Sequence, residues 1–420
     1  MTTSSLPQPL QKATRWRNLA LVLGVLYALY AAGAIWSGGL FEYAGVDYRA
    51  FRASAAIVVD RGFASVYDLA SQEQYQQGLY ATYAGPHGAG YSTVPVPYLP
   101  PFVALFLPLL LLPPVPSFIA WTVLNAAIHV LYIVRFSRTL GDGWEDALWW
   151  GCIVALPVLT NLLFGQVSGW LLVFVGEFLL ASQKGREVQA GLWLSGLLLK
   201  PQALFLLLPG LLIGRRFKTL AGFTVAGALL GGLSLALAGF SGLTALLQLF
   251  LRYTGDLATT NPQLMMGWRM LQVNLAGILP DPVSWGVTIA GLVLTAIAAL
   301  ALWVRPAAPG SPRFVVTVLG TYAATCAFAW HAHWHMAIPL LAPLLWLRAK
   351  QRLPQAVLDI WTLSPLVVFL SAFLILSLAA PNRVGLDHNL TGVWMFLLNL
   401  FLLAWAGRAI LFRAHTALTE

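Results

Sequence analysis

Charge is scarce in this chain: Asp, Glu, Lys and Arg make up 9% of its 420 residues, against 59% hydrophobic residues and a mean hydropathy of +0.76. A water-soluble fold of this size needs a charged surface, so the composition excludes that class. Cysteine is nearly absent. Cys152 and Cys326 lie inside apolar runs and far apart in sequence, which argues against both a disulfide framework and a thiol metal site. Acids are outnumbered, 15 against 24 Lys and Arg, for a formal charge of +9. In a membrane chain such a surplus reports orientation before an anionic partner, and nucleic acid is not expected as one. A cleavable leader is not expected either, because Asn18–Trp36 is long enough to span and lacks a small-residue cleavage pattern. No short-period internal repeat stands out.

What is present is a succession of apolar runs from Asn18 to Phe412. A membrane-spanning helix needs about 20 apolar residues. Candidates lie at 18–36, 98–113, 117–136, 147–164, 167–182, 188–213, 218–239, 283–304, 313–330, 334–347, 355–379 and 391–412. The fold class is therefore all-α, a polytopic membrane protein of roughly ten to thirteen helices. Runs 98–113 and 334–347 are too short to cross alone and read as half-helices or re-entrant pieces. Residues 1–17 read as an N-terminal segment, 18–412 as one integral membrane domain and 413–420 as a tail. Lys12, Arg15 and Arg17 place the N-terminus in the cytoplasm by the positive-inside rule, and the loop after the first span outside it, in a multi-pass plasma (inner) membrane protein. Arg215, Arg216, Lys218, Arg348, Lys350 and Arg352 read as further cytoplasmic loops; Arg135 and Arg138 agree only if 98–116 makes no full hairpin.

Two excursions, 37–96 and 240–282, are more hydrophilic and read as extracytoplasmic loops with amphipathic interfacial helices. In Asp47–Arg61 the residues Tyr48, Phe51, Ala55, Val58 and Val59 form an apolar stripe, so this helix is expected to lie flat on the membrane surface until Gly62 ends it. Gln72–Val94, with Gly85-Pro86-His87-Gly88, has loop composition. Leu243–Tyr253 reads as a second amphipathic helix, and Asn261-Pro262 opens a segment carrying Arg269, Gln272 and Asn274.

Ionisable groups inside such a chain are expensive and point to function. Asp47 opens a helix after Gly45, which fits either a cap for free N–H groups or a general base. Arg49 and Arg52, one turn apart, fit anionic lipid headgroups or a substrate phosphate. Lys200 interrupts Gly191–Gly214 and precedes Pro201; it either snorkels to the interface or, if the helix breaks there, borders a polar cavity and grips a phosphate. Asn161 and Gln166 mark a polar break that fits polar contacts between helices or a substrate contact. Arg269 reads as an interfacial arginine or as a partner of Lys200 in an anion clamp. His331 and His335 share a helical face beside His333, but no Glu lies between them and no third ligand is near, so the expectation is hydrogen bonding to a substrate or an acid, with no metal centre.

Taken in order, Gly45-Val46-Asp47-Tyr48, Val66-Tyr67-Asp68, Tyr98-Leu99-Pro100-Pro101, Phe106-Leu107-Pro108-Leu109, Trp121-Thr122-Val123-Leu124-Asn125, Phe164-Gly165-Gln166-Val167, Leu199-Lys200-Pro201, Asn261-Pro262-Gln263-Leu264 and Trp330-His331-Ala332-His333 resemble the glycosyltransferase family 87 proteins. The likeness spans roughly Phe41 to Pro343. That family has the GT-C fold and contains polyprenyl-phosphate-mannose-dependent mannosyltransferases. The resemblance implies a metal-independent or weakly metal-dependent transfer, with no resident cofactor, of a hexose, most simply mannose, from a polyprenyl-phosphate-sugar donor to a lipid or glycan acceptor on the outer membrane face. It further implies Asp47 as general base, Lys200 at the donor phosphate and His333 as the better-matched histidine of the site; the chemistry of a departing phosphate adds Arg269 or Arg52 as a second cation, with Arg49, Gln166, Asn261, His331 and His335 as further candidate substrate contacts. The chain departs from the family where Asn-Pro-Gln-Leu replaces Asn-Gln-Ser-Leu at Asn261 and where Ala332 splits the paired histidines. A single base in the loop favours one-step inversion, with Glu42 as the nearest other acid. A transporter or flippase would cluster intramembrane charges similarly, but with paired breaks in related halves, which are not found. A lipid-diphosphate-linked glycan ligase or polymerase would carry more arginine in one large loop than Arg49, Arg52 and Arg61.

Overall fold

A computed structural model describes residues 8–86, 90–141, 152–255, 261–305, 307–379 and 386–412. The first seven residues, His87 and Gly88, the start of the expected 147–164 span and the 413–420 tail lie outside them.

The described residues contain helices and three isolated backbone bridges but no strand. That is what an apolar chain must do in lipid, where every backbone N–H and C=O has to be satisfied within its own segment. Six helices are long and apolar enough to cross a membrane: Trp16–Gly38, Pro114–Thr139, Phe217–Arg252, Asp281–Ala301, Gln355–Ala379 and Asn389–Ile410. Their outward residues, such as Val22, Leu229, Leu294 and Leu374, are exposed, as lipid-facing side chains should be. The chain is an all-α, multi-pass membrane protein. The shorter Pro312–Phe328 helix is its central post, buried on all sides from Phe314 to Ala327.

The remaining expected spans are broken. Residues 98–113 form a short helix, Pro100–Ala104, and a 3-10 turn, Pro108–Leu111, so 98–116 makes no full hairpin, the condition set by Arg135 and Arg138. Run 188–213 splits into Glu187–Leu194, two 3-10 turns on either side of Lys200, and Leu207–Ile213. Run 334–347 starts as a 3-10 stretch, Trp334–Leu340, containing Pro339. Leu243–Tyr253 proves continuous with the preceding span: one helix, Phe217–Gly255, runs through a kink at Gly239, whose φ of 66° only glycine adopts readily.

The first excursion differs most from expectation. The Val46–Arg61 helix does not lie flat against lipid; Tyr48, Arg49, Ala50, Phe51, Ala53, Ser54, Ala55 and Ile57 are all buried in protein. Its aromatic stripe finds a rigid partner in the Pro-rich piece that follows: Phe51 meets Phe102 and Phe106 at 5.1 and 5.0 Å between ring centroids, and Phe106 meets Trp121 at 4.6 Å. Val59, left outside this cluster, is 67% exposed. Gln72–Val94 is not all loop either, because Leu69–Tyr83 is helical. Asp68 caps it, accepting from Ser71 N at 2.9 Å, while Gln72 and Gln76 turn inward to satisfy Val66 O, Val94 O and the N–H groups of Val94 and Val96. Glutamines that look solvent-facing in sequence are thus the internal braces of the loop.

Elsewhere helices approach until backbones touch. A Cβ at Gly191 would lie 1.9 Å from Thr219 O and one at Gly222 2.1 Å from Val188 O, so glycine lets Glu187–Leu194 seat directly on Phe217–Gly255. Gly222→Ala should therefore lower stability by about 1–3 kcal/mol through overpacking. Thermal unfolding in detergent should show the loss, whereas Gly231→Ala, which meets open space, should unfold at or above the wild-type temperature.

Candidate active site

Two tight turns bring the first loop onto the bundle. Gly45 (φ 68°) and Gly165 (φ 72°) both take the left-handed conformation, and a Cβ on Gly165 would lie 2.6 Å from Tyr48 Cβ. Gly45 N donates to Leu163 O at 2.6 Å, and Trp121 Nε1 donates to Gly165 O at 2.8 Å. The start of Val46–Arg61 is thereby pinned to the end of Leu156–Phe164, with Gln166 next in the chain. Asn161 holds this turn, its side-chain oxygen accepting from Ser168 N at 2.8 Å and its carbonyl from Gln166 N at 2.9 Å.

Asp47 is not the cap of its helix. Gly45 occupies the N-cap without a side-chain bond, and Asp47 lies one residue inside the first turn. Its carboxylate accepts a hydrogen bond from Gln166. Burial pushes the Asp47 carboxyl above the usual carboxylate range, and the Gln166 donor, the Lys200 ammonium and the Arg49 guanidinium oppose that rise, in decreasing order.

Lys200 comes within electrostatic range of this carboxylate at a break in its helix. Its backbone (φ −139°, ψ 82°) separates two 3-10 turns, and Pro201 removes the N–H that a continuous helix would have needed. The residue is buried at 3% exposure, and Nζ lies 2.8 Å from His335 Nε2. The ammonium donates in this bond, which assigns the proton-bearing position on His335 to Nδ1. Snorkelling is therefore not how this charge is accommodated.

The histidines do not share a regular helical face. Met266 N donates to Ala332 O at 3.0 Å, and Met265 bridges His333, which draws this stretch out extended before Trp334–Leu340 begins. The rings then form a continuous row: His331 to His333 is 5.3 Å, edge on, and His333 to His335 is 5.9 Å, stacked. Buried Arg269 completes the far end, with its guanidinium 5.1 Å over the Trp330 ring, and His331 lies within electrostatic reach of both Arg269 and Lys200. Among the described residues, no group of three His, Cys, Asp or Glu is placed to hold a metal ion.

The other expected residues sit elsewhere. Arg52 donates to Leu109 O, Leu112 O and Ser117 Oγ at 2.8–2.9 Å, so its guanidinium staples the Pro-rich turn rather than joining Lys200. Arg49 is buried beneath the loop, donating to Phe41 O and Ser92 O and packing over Tyr80 and Tyr91, out of reach of lipid headgroups. Glu42 interacts with Tyr80 and Arg49. Asn261 is an exposed left-handed residue (φ 42°) that starts the turn leading into Met265 and Met266. Trp285, which stacks on Trp330 at 5.9 Å, carried no signal of its own in the sequence beyond being one of 17 tryptophans.

A half-buried carboxylate, a buried ammonium, a row of imidazoles and a buried guanidinium thus come together from four separate stretches of chain. Acid, base and cation in one water-poor site suit group transfer to a hydroxyl with an anionic leaving group. The sequence model of glycosyltransferase family 87 matches residues 97–327. The chain belongs to glycosyltransferase family 87. No curated protein and no solved structure matches it. As a family 87 member it is a membrane glycosyltransferase, which makes it an enzyme rather than a transporter, with sugar donor and acceptor substrates. The matched stretch contains Gln166, Lys200 and Arg269; Asp47 lies before it and the three histidines just after.

Proposed function

We propose that this family 87 glycosyltransferase moves a hexose, most simply mannose, from a polyprenyl-phosphate-sugar donor to a hydroxyl of a lipid or glycan acceptor at the extracytoplasmic face. The observation that carries the reading is the placement of Asp47 between a neutral donor, Gln166, and a buried cation, Lys200. The Asp47 carboxylate takes the acceptor hydroxyl proton as that oxygen bonds to the anomeric carbon. The bond from that carbon to the phosphate oxygen breaks with its electron pair, and the leaving phosphate meets Lys200, with Arg269 further along the histidine row. His333, half-buried in the middle of the row, hydrogen-bonds the sugar or the acceptor. Among the described residues no second carboxylate acts on Asp47, which supports inversion in a single displacement.

The reading is tested by incubating purified protein with polyprenyl-phosphate-mannose and a mixed lipid acceptor pool and reading products by mass spectrometry. Asp47→Asn should keep folding and donor binding while lowering turnover by about 10²–10⁴-fold, the usual contribution of a general base. Retention of more than about a tenth of the rate would remove Asp47 from that role. The pH dependence has a definite sign. A base works when deprotonated, so activity rises with pH through the elevated Asp47 value. Gln166→Leu, by removing a bond that favours the carboxylate, should move that limb to higher pH. Stability runs the other way. A carboxyl whose folded value is raised favours the fold below its unfolded value and loses that contribution as pH climbs through the folded one.

Lys200→Ala should weaken donor use by about 2–5 kcal/mol, the cost of removing a desolvated charge partner, and Lys200→Arg should restore it incompletely because a planar fork does not replace a compact ammonium. Wild-type donor kinetics in Lys200→Ala would dissociate this residue from the phosphate.

The basic N-terminus supports an extracytoplasmic site. Gln77 is exposed on the Leu69–Tyr83 helix, and Cys152 and Cys326 are buried. Gln77→Cys should react with a membrane-impermeant thiol reagent in intact cells; labelling only after lysis would place the loop on the inner face.

A further inference from the structure

The last long helix, Leu386–Gly407, lies beyond residues 97–327 that match the family. One face of it nevertheless presses on the chain behind the histidines. Gly392, Phe396 and Asn399 are spaced four and three residues apart and so share that face. A Cβ on Gly392 would lie 2.4 Å from Met265 O, so helix backbone and carbonyl are in direct contact. The Phe396 ring meets Trp268 edge on, with centroids 4.9 Å apart. Asn399, 1% exposed, donates from Nδ2 to Met266 Sδ at 3.6 Å, a weak acceptor but one that gives a buried amide a partner.

The segment these residues touch has its other side on the site. Met265 bridges His333, Met266 N donates to Ala332 O, and Trp268 opens the short helix Trp268–Ala276 that carries Arg269. The central post closes it from a third direction, where a Cβ on Gly267 would lie 2.7 Å from Ala327 O. A strip of backbone wedged at contact distance between two helices cannot absorb an added methyl by itself, so part of any displacement at its back reaches the histidine side. We infer that Gly392, Phe396 and Asn399 are positioning residues, which set the place of His333 and Arg269 through Met265, Met266 and Trp268. The inference rests on the reading that this row serves sugar transfer, and it adds the last helix to the parts that the reaction needs.

The test compares Gly392→Ala and Asn399→Leu with Gly320→Ala in purified full-length protein. Gly320→Ala crowds the same helix near its other end, where the new Cβ would meet Ala406 Cβ at 2.6 Å. Two readings are taken on the folded fraction: the rate at which diethyl pyrocarbonate modifies His333, followed on its peptide by mass spectrometry, and turnover of polyprenyl-phosphate-mannose with the lipid acceptor pool. Gly392→Ala should change the His333 rate by about threefold or more and lower kcat by about tenfold or more, the scale expected of a misplaced group. Asn399→Leu should move both in the same direction by less, and it decides alone should Gly392→Ala not fold. Gly320→Ala should lower the unfolding temperature and leave both readings at wild type. In a His333→Gln background Gly392→Ala should cost little more, because residues that act through one another are not additive. A changed His333 rate with no transfer even by wild type would overturn the proposed function and leave the positioning in place. Wild-type His333 reactivity and turnover in the folded Gly392→Ala and Asn399→Leu proteins would overturn the positioning, as would equal changes in Gly320→Ala, which would make the effect one of general packing.

Discussion

An ammonium buried in an apolar bundle has to meet a partner, and much of the site follows from how Lys200 does so. Its charge sits at 3% exposure, where an unpaired cation would cost several kcal/mol. Lys200 lies at the helix break before Pro201, His335 accepts its hydrogen bond, and Asp47 supplies the opposite charge. Without the carboxylate the burial of this cation would lack an opposite charge, and without the accepting ring one of its donors would lose its partner.

Holding Asp47 there is the work of shape rather than charge. Gly45 and Gly165 allow two chain turns to touch, Trp121 ties one of them down, and the Phe51, Phe102, Phe106 and Trp121 rings fill the space behind. Arg49 and Arg52, both outwardly suited to anions, are consumed in closing this loop on itself through five bonds to backbone and Ser117 acceptors. The loop is a rigid lid of protein on protein, and the carboxylate it carries has a defined position because its supports are packed.

Much of this was legible in the residues. Apolar run length gave the membrane class, Pro201 announced the break at Lys200, and the polar interruption at Asn161 and Gln166 marked a turn between two helices. What could not be read was partnership. The stripe Tyr48, Phe51, Ala55 has the same periodicity whether it faces lipid or the Pro100–Leu111 piece, and only the fold decides. Gln72 and Gln76 look like solvated loop residues until their backbone partners are known. The i, i+4 spacing of His331 and His335 suggested a helical face, but a tertiary bond from Met266 to Ala332 overrode local preference. The left-handed turn at Gly165 carries a signal in its glycine; the Trp121 bond that stabilises it carries none.

The Lys200–His335 bond joins residues 135 positions apart, and Asp47 stands farther upstream still. A translating ribosome delivers the carboxylate first, the ammonium much later, and the imidazoles only when most spans have already been made. The nascent chain therefore holds a carboxylate with only Arg49 as counter-charge, then a cation with no accepting ring, and gains the row of imidazoles only once residues 331–335 are made. Long-range closure of this kind is slow, because distant segments must be brought together before any contact rewards them. A consequence is that this enzyme should not transfer sugar before residues 331–335 have been made, and truncations that remove them yet still insert stably should be inert rather than partially active.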